Sequence, residues 1–325
     1  MASLFQLENL THYYGQHRAL DDVNLDIAPG TIGLVGQNGA GKSTLMQILL
    51  GLNRPTQGFA RLFGQDVQQT GVELRGRVGF MPERSALIPG LHGLEYVALA
   101  GELSGMPRRE AMRRGHETLS YLGLEEARYR KLEQYSVGMQ QRLKLAATLV
   151  HDPDLLLLDE PTAGLDPDGR NKMLSLIRGL ASRPDKSLVL SSHLLGDIER
   201  VCETTIILDA GRVIGVGPMD DLRSSRPSCY TLSWKGEAND FLDGLREVGV
   251  QLESMDQTSV QAKLPEGKTT QLFFALAHRH SISLTALEPE EENLEAVYHR
   301  LIGRQDDMNA PGNRPTMSVG QEAAS

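Results

Sequence analysis

Residues 36–43 read GQNGAGKS, which sets Gly36, Gly41, Lys42 and Ser43 in the spacing G-x-x-x-x-G-K-[ST] between a short apolar run and a helical pattern. Glycines let main-chain N–H groups converge on a polyphosphate, and Gly39 adds another position without a side chain. Lys42 has the reach to contact β and γ phosphates, Ser43 offers a hydroxyl to Mg²⁺, and the helix beginning near Lys42 adds its positive end. The competing reading is a tight glycine turn with a capping serine. The strand before the loop and the helix after it favour the phosphate cradle.

A cradle does not say why a nucleotide triphosphate is held. The segment LLLLDEP reads as a buried strand delivering Asp159 and Glu160 to its C-terminal end. Asp159 is expected to organise the magnesium shell. Glu160, one residue on, is expected to point elsewhere and polarise an attacking water. Two acids capping the next helix would be the purely structural alternative. A third segment, YSVGMQQRLKLAATLV from Tyr135 to Val150, puts Ser136 at the N-cap of a helix. That hydroxyl, free N–H groups and Gly138 make a second anion site, although by itself the segment fits a plain capped helix better.

With these residues together, the chain from about Leu4 to Leu222 resembles the ATP-binding cassette family, the motor subunits of ABC transporters. The Walker A loop, the Asp159-Glu160 pair and YSVGM stand in the family's order. TAGLDP resembles the D-loop, with Asp166, and His193 in LSSH resembles the switch histidine. Tyr14 before Gly15 resembles the aromatic that stacks on adenine, with Tyr13 competing for that role. The resemblance also implies that Asn38 and Thr44 of the loop contact nucleotide.

Two departures stand out. Glu83 in GFMPER occupies the place of the family's usual glutamine facing the magnesium shell, which adds negative charge. Val137 and Met139 replace the Gly and Gln of Leu-Ser-Gly-Gly-Gln, while Ser136 and Gly138 are kept. The resemblance implies ATP and Mg²⁺ as ligands, with Ser43, Glu83 and Asp159 toward the metal and Glu160 and His193 in catalysis. One copy each of the Walker A and signature segments implies a homodimer with ATP in the interface, driving a separate membrane permease. The MPER glutamate, YSVGM and an added C-terminal domain look most like ABC-2-type exporter ATPases.

The elements expected to position these residues form an α/β domain with a mostly parallel sheet, residues 1–225. Candidate strands are Ile32 to Val35, Val78 to Met81, Leu155 to Leu158, Leu188 to Ser191 and Thr205 to Leu208. A helical insertion, about 85–152, separates the second from the third. Residues 226–302 alternate β-α-β-β-α-β, the order of a small ferredoxin-like α+β domain. Within it, Tyr230, Leu232 and Trp234 share one strand face. A closing helix carries Leu294, Val297 and Leu301 on one stripe, with Pro289 near its first turn. From Gly303 to Ser325 the chain is polar and rich in breakers, which predicts a disordered tail.

A formal charge of −9 argues against wrapping nucleic acid. No apolar run approaches the roughly 20 residues of a membrane span, and no secretory signal opens the chain. The expected location is therefore cytoplasmic, on the inner face of the membrane through the permease. Cys202 and Cys229 read as reduced thiols, and His278 with His280 as residues near a helix C-terminus, assigned no metal. Two other functions remain open at this point: a soluble ABC ATPase acting on ribosomes or DNA, and a regulatory ATP-binding module with little turnover. Neither a second Walker A nor a heptad repeat supports the first. Intact Asp159, Glu160 and His193 oppose the second.

Overall fold

Two long strands open the chain, β1 (Phe5–Tyr14) and β2 (His17–Ile27). A tight turn joins them, with Gly15 at φ 60°, a left-handed conformation that glycine adopts without a Cβ penalty. With β4 (Gln57–Leu62) and β5 (Gln65–Asp66) they make an antiparallel sheet in the order β2-β1-β4-β5. This sheet was not anticipated. Register shifts between Leu7 and Leu10 and again before His12 and Tyr13 break the period-2 alternation that marks a half-buried strand.

The second sheet holds β3 (Thr31–Val35), β6 (Val78–Met81), β7 (Leu155–Asp159), β8 (Ser187–Ser192), β9 (Thr204–Asp209) and β10 (Arg212–Pro218). Their order is β10-β9-β3-β8-β7-β6, parallel from β9 to β6, with β10 antiparallel at one edge. All five expected strands lie here, each within one residue of its expected bounds. Every residue of β3, β7 and β8 is buried, as a parallel sheet covered on both faces demands.

Helix α1 (Lys42–Leu49) buries Leu45, Met46, Ile48 and Leu49 in a core shared with Leu7, Leu10 and Leu62 of the first sheet and Ile32, Leu34 and Leu157 of the second. Truncating one such leucine to alanine costs about 2–5 kcal/mol, so α1 and the loop before it are held firmly. The short α2 (Gly71–Arg75) precedes β6. The insertion between β6 and β7 contains α3 (Gly93–Leu103), α4 (Arg108–Tyr121) and α5 (Val137–Leu149). Gly105 and Gly123, both at positive φ, terminate the first two of these. Three more helices follow: α6 (Pro167–Ala181), α7 (Leu195–Val201) and α8 (Met219–Leu222).

The structure is a computed structural model that describes residues 3–84, 87–222, 229–256, 258–265, 267–289 and 294–309. The chain divides into two units, Met1–Leu222 with Arg300–Ser325, and Arg223–His299. The second unit contains β11 (Cys229–Lys235), α9 (Asn239–Glu247), β12 (Gln251–Met255), β13 (Ser259–Lys263), α10 (Gln271–Arg279) and β14 (Ser283–Pro289). Its antiparallel order β12-β13-β11-β14 is the ferredoxin-like arrangement. Leu232 and Trp234 of β11 pack with Phe241, Leu245, Val260 and Phe273, and Tyr230 joins them partly buried.

Helix α11 (Leu294–Asn309) then follows, with Leu294 and Val297 buried. Two expectations need correction. Pro289 ends β14 and does not enter the first turn of α11, because its ring suits the end of an edge strand. The helix also continues through Asn309, past Gly303 where the tail was placed. One glycine costs a helix only about 1 kcal/mol and does not oblige it to stop. The remainder of that expected tail, residues 310–325, lies outside the described residues.

Candidate functional site

The loop from Gly36 to Gly41 ends on a left-handed residue, Gly41 at φ 104°, which serves as the N-cap of α1 with no side-chain cap. A Cβ at Gly41 would stand 2.6 Å from the carbonyl oxygen of Ala19, so both backbone conformation and space require glycine. Glycine offers the first N–H groups of α1 no capping side chain, and a helix N-terminus in that condition favours an anion. Lys42 is buried, and its Nζ donates to the carbonyls of Gly36 at 2.6 Å and Gln37 at 3.2 Å. Burial lowers its pKa, opposed by the Glu160, Asp159 and Glu83 carboxylates.

Asp159 ends β7 and accepts two hydroxyl hydrogen bonds, from Ser43 to Oδ2 at 2.7 Å and from Ser191 of β8 to Oδ1 at 2.8 Å. Glu160 follows at φ 49°, an uncommon conformation for a residue with a side chain. Alternation along a strand would send Glu160 to the opposite face. The left-handed turn breaks that alternation, and both acids line one cavity, correcting the expectation that they point apart.

The Nδ1 of His193 lies 2.8 Å from Oε2 of Glu160. Among the described residues, Glu160 Oε1 is buried with no hydrogen-bond partner. Burial raises the Glu160 pKa, while His193 and Lys42 pull it the other way. A carboxylate so placed is a stronger base than one in water.

A cavity of about 280 Å³ collects Tyr14, Asn38, Gly39, Gly41, Lys42, Ser43, Thr44, Glu83, Asp159 and Glu160. Tyr14 lines it and Tyr13 does not. The Tyr14 hydroxyl accepts from Asn53 Nδ2 at 2.6 Å, and its ring meets His12 edge-on at 4.7 Å. Gly36 reaches the site through its carbonyl and His193 through Glu160.

Ser136, Gly138 and Asp166 do not line this cavity. The Ser136 hydroxyl accepts from Met139 N–H at 3.3 Å to cap α5, and Asp166 accepts from Gly169 N–H at 3.2 Å to cap α6. These two helix starts adjoin one another: Gln141 Nε2 donates to the Ala163 carbonyl at 2.9 Å, and Ser136, Val137 and Asp166 are all exposed.

Reading the sequence missed several neighbours. His17, Ala19 and Gln37 line the cavity; His17 does so because the β1–β2 turn pairs it with Tyr14. The Tyr-Gly signal that marks Tyr14 would have located it. Ser191 and Lys144 carried no local signal. Lys144, 4% exposed, donates to the Glu83 carbonyl at 2.9 Å. Burial draws its pKa down to about 8, against the opposing pull of Asp159 and Glu83.

A family model described as ABC transporter matches residues 20–163. Nod factor export ATP-binding protein I of Cupriavidus metallidurans is 32% identical over 94% of this chain and 99% of its own length. Daunorubicin/doxorubicin resistance ATP-binding protein DrrA of Streptomyces peucetius is 32% identical over 93% of each chain. Among solved structures, a dimeric ATP-binding cassette in a post-hydrolysis state, bound to ADP and Pi, superimposes with a TM-score of 0.61 at 29% identity, covering 66% of this chain and 98% of that one. Sustained over nearly the whole of both chains, such likeness makes this chain a member of the ABC transporter family, among its ATP-binding proteins.

Proposed function

We propose that this chain is the ATP-hydrolysing motor subunit of an ABC-2-type exporter, closing as a homodimer on ATP and driving a separate membrane permease. The observation that carries the proposal is Glu160. It lines the same cavity as Lys42, Ser43 and Asp159, is oriented by His193, and keeps one buried carboxylate oxygen without a partner.

The residues fit the substrate. Lys42 and the open N-terminus of α1 bind the β and γ phosphates, while Tyr14 offers its ring to the adenine. They also fit Mg²⁺: Ser43, Asp159 and Glu83, all lining the cavity, are a hydroxyl and two carboxylic residues, hard oxygen donors. Among the described residues no group of three or more His, Cys, Asp or Glu is placed to hold a metal alone. That suits magnesium, which takes one or two carboxylates and completes its shell with phosphate and water. When bound, Mg²⁺ offsets the charge on the transferring phosphoryl group. Glu160 accepts a proton from the attacking water, and His193 holds the Glu160 carboxylate in position.

Ser136, Gly138 and Asp166 stand outside the cavity of their own chain, Ser136 and Asp166 exposed and Gly138 half-buried, ready to cover the nucleotide of a second copy. Such an arrangement closes on itself with two-fold symmetry. Losing the γ-phosphate removes the bridge between the two copies.

Among the described residues no helix is long and apolar enough to cross a membrane. A second cavity of about 340 Å³ between β6 and the insertion helices is lined by Phe80, Pro82, Tyr96, Ala100, Leu103 and Lys144. It lies beside Glu83 and suits an amphipathic helix of the permease, keeping this chain on the inner membrane face. Relatives named for Nod factor export and for daunorubicin/doxorubicin resistance support the exporter reading.

The test is to tag the chain, isolate it with the membrane protein it retains, and follow phosphate release with and without that partner. Mg²⁺-dependent hydrolysis stimulated by a polytopic partner is the expected result. Retention on ribosomes instead, with no membrane protein, would overturn the proposal.

A further inference from the structure

Three side chains from α5 and the residue pair beyond its end stitch the helix to the free edge of the central sheet. Lys144 Nζ donates to the Glu83 carbonyl at 2.9 Å, the Thr148 hydroxyl is shared between the Lys144 carbonyl of its own helix at 2.9 Å and the Phe80 carbonyl at 3.3 Å, and His151 Nε2 lies 3.2 Å from the Val78 carbonyl. The spacing of 144, 148 and 151 is that of one helical face, and β6 is the terminal strand of its sheet. Edge carbonyls otherwise left to solvent are thereby satisfied. The seam also links the helix that starts at Ser136 to the strand that delivers Glu83.

At its upper end Lys144 stands between two cavities. It lines the apolar groove beside Phe80 and Pro82, while Glu83 lines the nucleotide cavity with Ser43 and Asp159. A buried ammonium with a main-chain acceptor has little freedom to leave that acceptor, because an unpaired buried charge is costly.

We propose that Lys144 is a positioning residue for the nucleotide site: by fixing the main chain of Glu83 from the groove side, it sets where the Glu83 carboxyl meets the metal-bearing triphosphate. The inference rests on the ATPase reading above. Lys144 touches neither nucleotide nor metal in this scheme, so its loss disturbs the metal-dependent part of binding and leaves the metal-free part alone.

The test measures binding of N-methylanthraniloyl-ATP to the full chain by fluorescence, first in EDTA and then across a MgCl₂ titration, for wild type, K144M and K144R. K144M is expected to hold the metal-free Kd within about twofold and to raise the Mg²⁺ midpoint by about fivefold or more, a difference near 1 kcal/mol. K144R keeps a long cationic donor and is expected to stay within about twofold of wild type. If K144M does not fold, as judged by its melting curve, K144Q, too short to reach the carbonyl, is read in the same way. An unchanged midpoint in the neutral variant, or an equal shift in K144R, overturns the inference, because the side chain would then only fill space. Failure of the wild type to bind the nucleotide overturns the ATPase reading itself, and is distinguishable for that reason.

Discussion

His193 Nδ1 and Glu160 Oε2 lie 2.8 Å apart, across 33 residues of chain that include all of α6. The contact orients a buried acid whose other oxygen, Oε1, has no hydrogen-bond partner among the described residues. Buried polar atoms are nearly always paired. Function is the natural reason for the exception.

Glu160→Gln keeps the shape and removes the base. Turnover should fall by about 10²- to 10⁴-fold while ATP still binds. Light scattering after size exclusion should then find an ATP-dependent dimer. Rapid phosphate release by this variant would rule out the role given to Glu160.

Lys42→Ala removes the buried cation whose ammonium meets the carbonyls of the phosphate loop. Hydrogen bonds to charged groups contribute about 1.5–3 kcal/mol, so ATP affinity should drop about 10- to 100-fold by calorimetry. Undiminished affinity would refute the cradle.

Tyr14 and Tyr13 are both exposed at the end of β1, but only Tyr14 borders the cavity. Tyr14→Ala should weaken ATP binding by about 2- to 10-fold, the loss of one aromatic stack, and Tyr13→Ala by less than about twofold. Equal effects of the two substitutions would return the choice between them to the open state in which the sequence leaves it.

Asp197 of α7 is 1% exposed, and accepts from Thr162 at 2.7 Å and from Arg170 Nε at 2.7 Å. It ties the segment after Glu160 to the helix after His193. Breaking a buried pair costs about 3–5 kcal/mol; Arg170 is a third exposed, which puts Asp197→Ala at the lower end of that range. Urea titration measures the loss, and a value below about 1 kcal/mol would mean that the pair is not a structural tie.

Burial holds the His151 pKa below the ordinary imidazole value, opposed by the Val78 carbonyl and Asp152. Between the unfolded pKa, about 6.5, and the lower folded one, the unfolded chain binds a proton that the native chain does not. Stability from this group is therefore lost as pH falls through that window. His151→Gln should flatten the fall in urea stability between about pH 7.5 and about pH 5.5. An unaltered slope would contradict the assignment.

Residue order alone determined the features that are local in the chain. The phosphate loop is eight consecutive residues whose backbone needs can be read directly, and five short, mostly apolar runs announced the parallel strands. The β-α-β-β-α-β order of the second unit was legible for the same reason.

Tertiary structure decided what depends on distant partners or on a single dihedral angle. The left-handed backbone at Glu160 put two neighbouring acids in one cavity against strand alternation. Packing of α5 on the edge of the sheet brought Lys144 to Glu83 across 61 residues, and bulges in β1 hid an entire antiparallel sheet from a period-2 reading. Spacing along a chain reports backbone conformation; which side chains then share a buried volume is set by long-range packing that no local window contains.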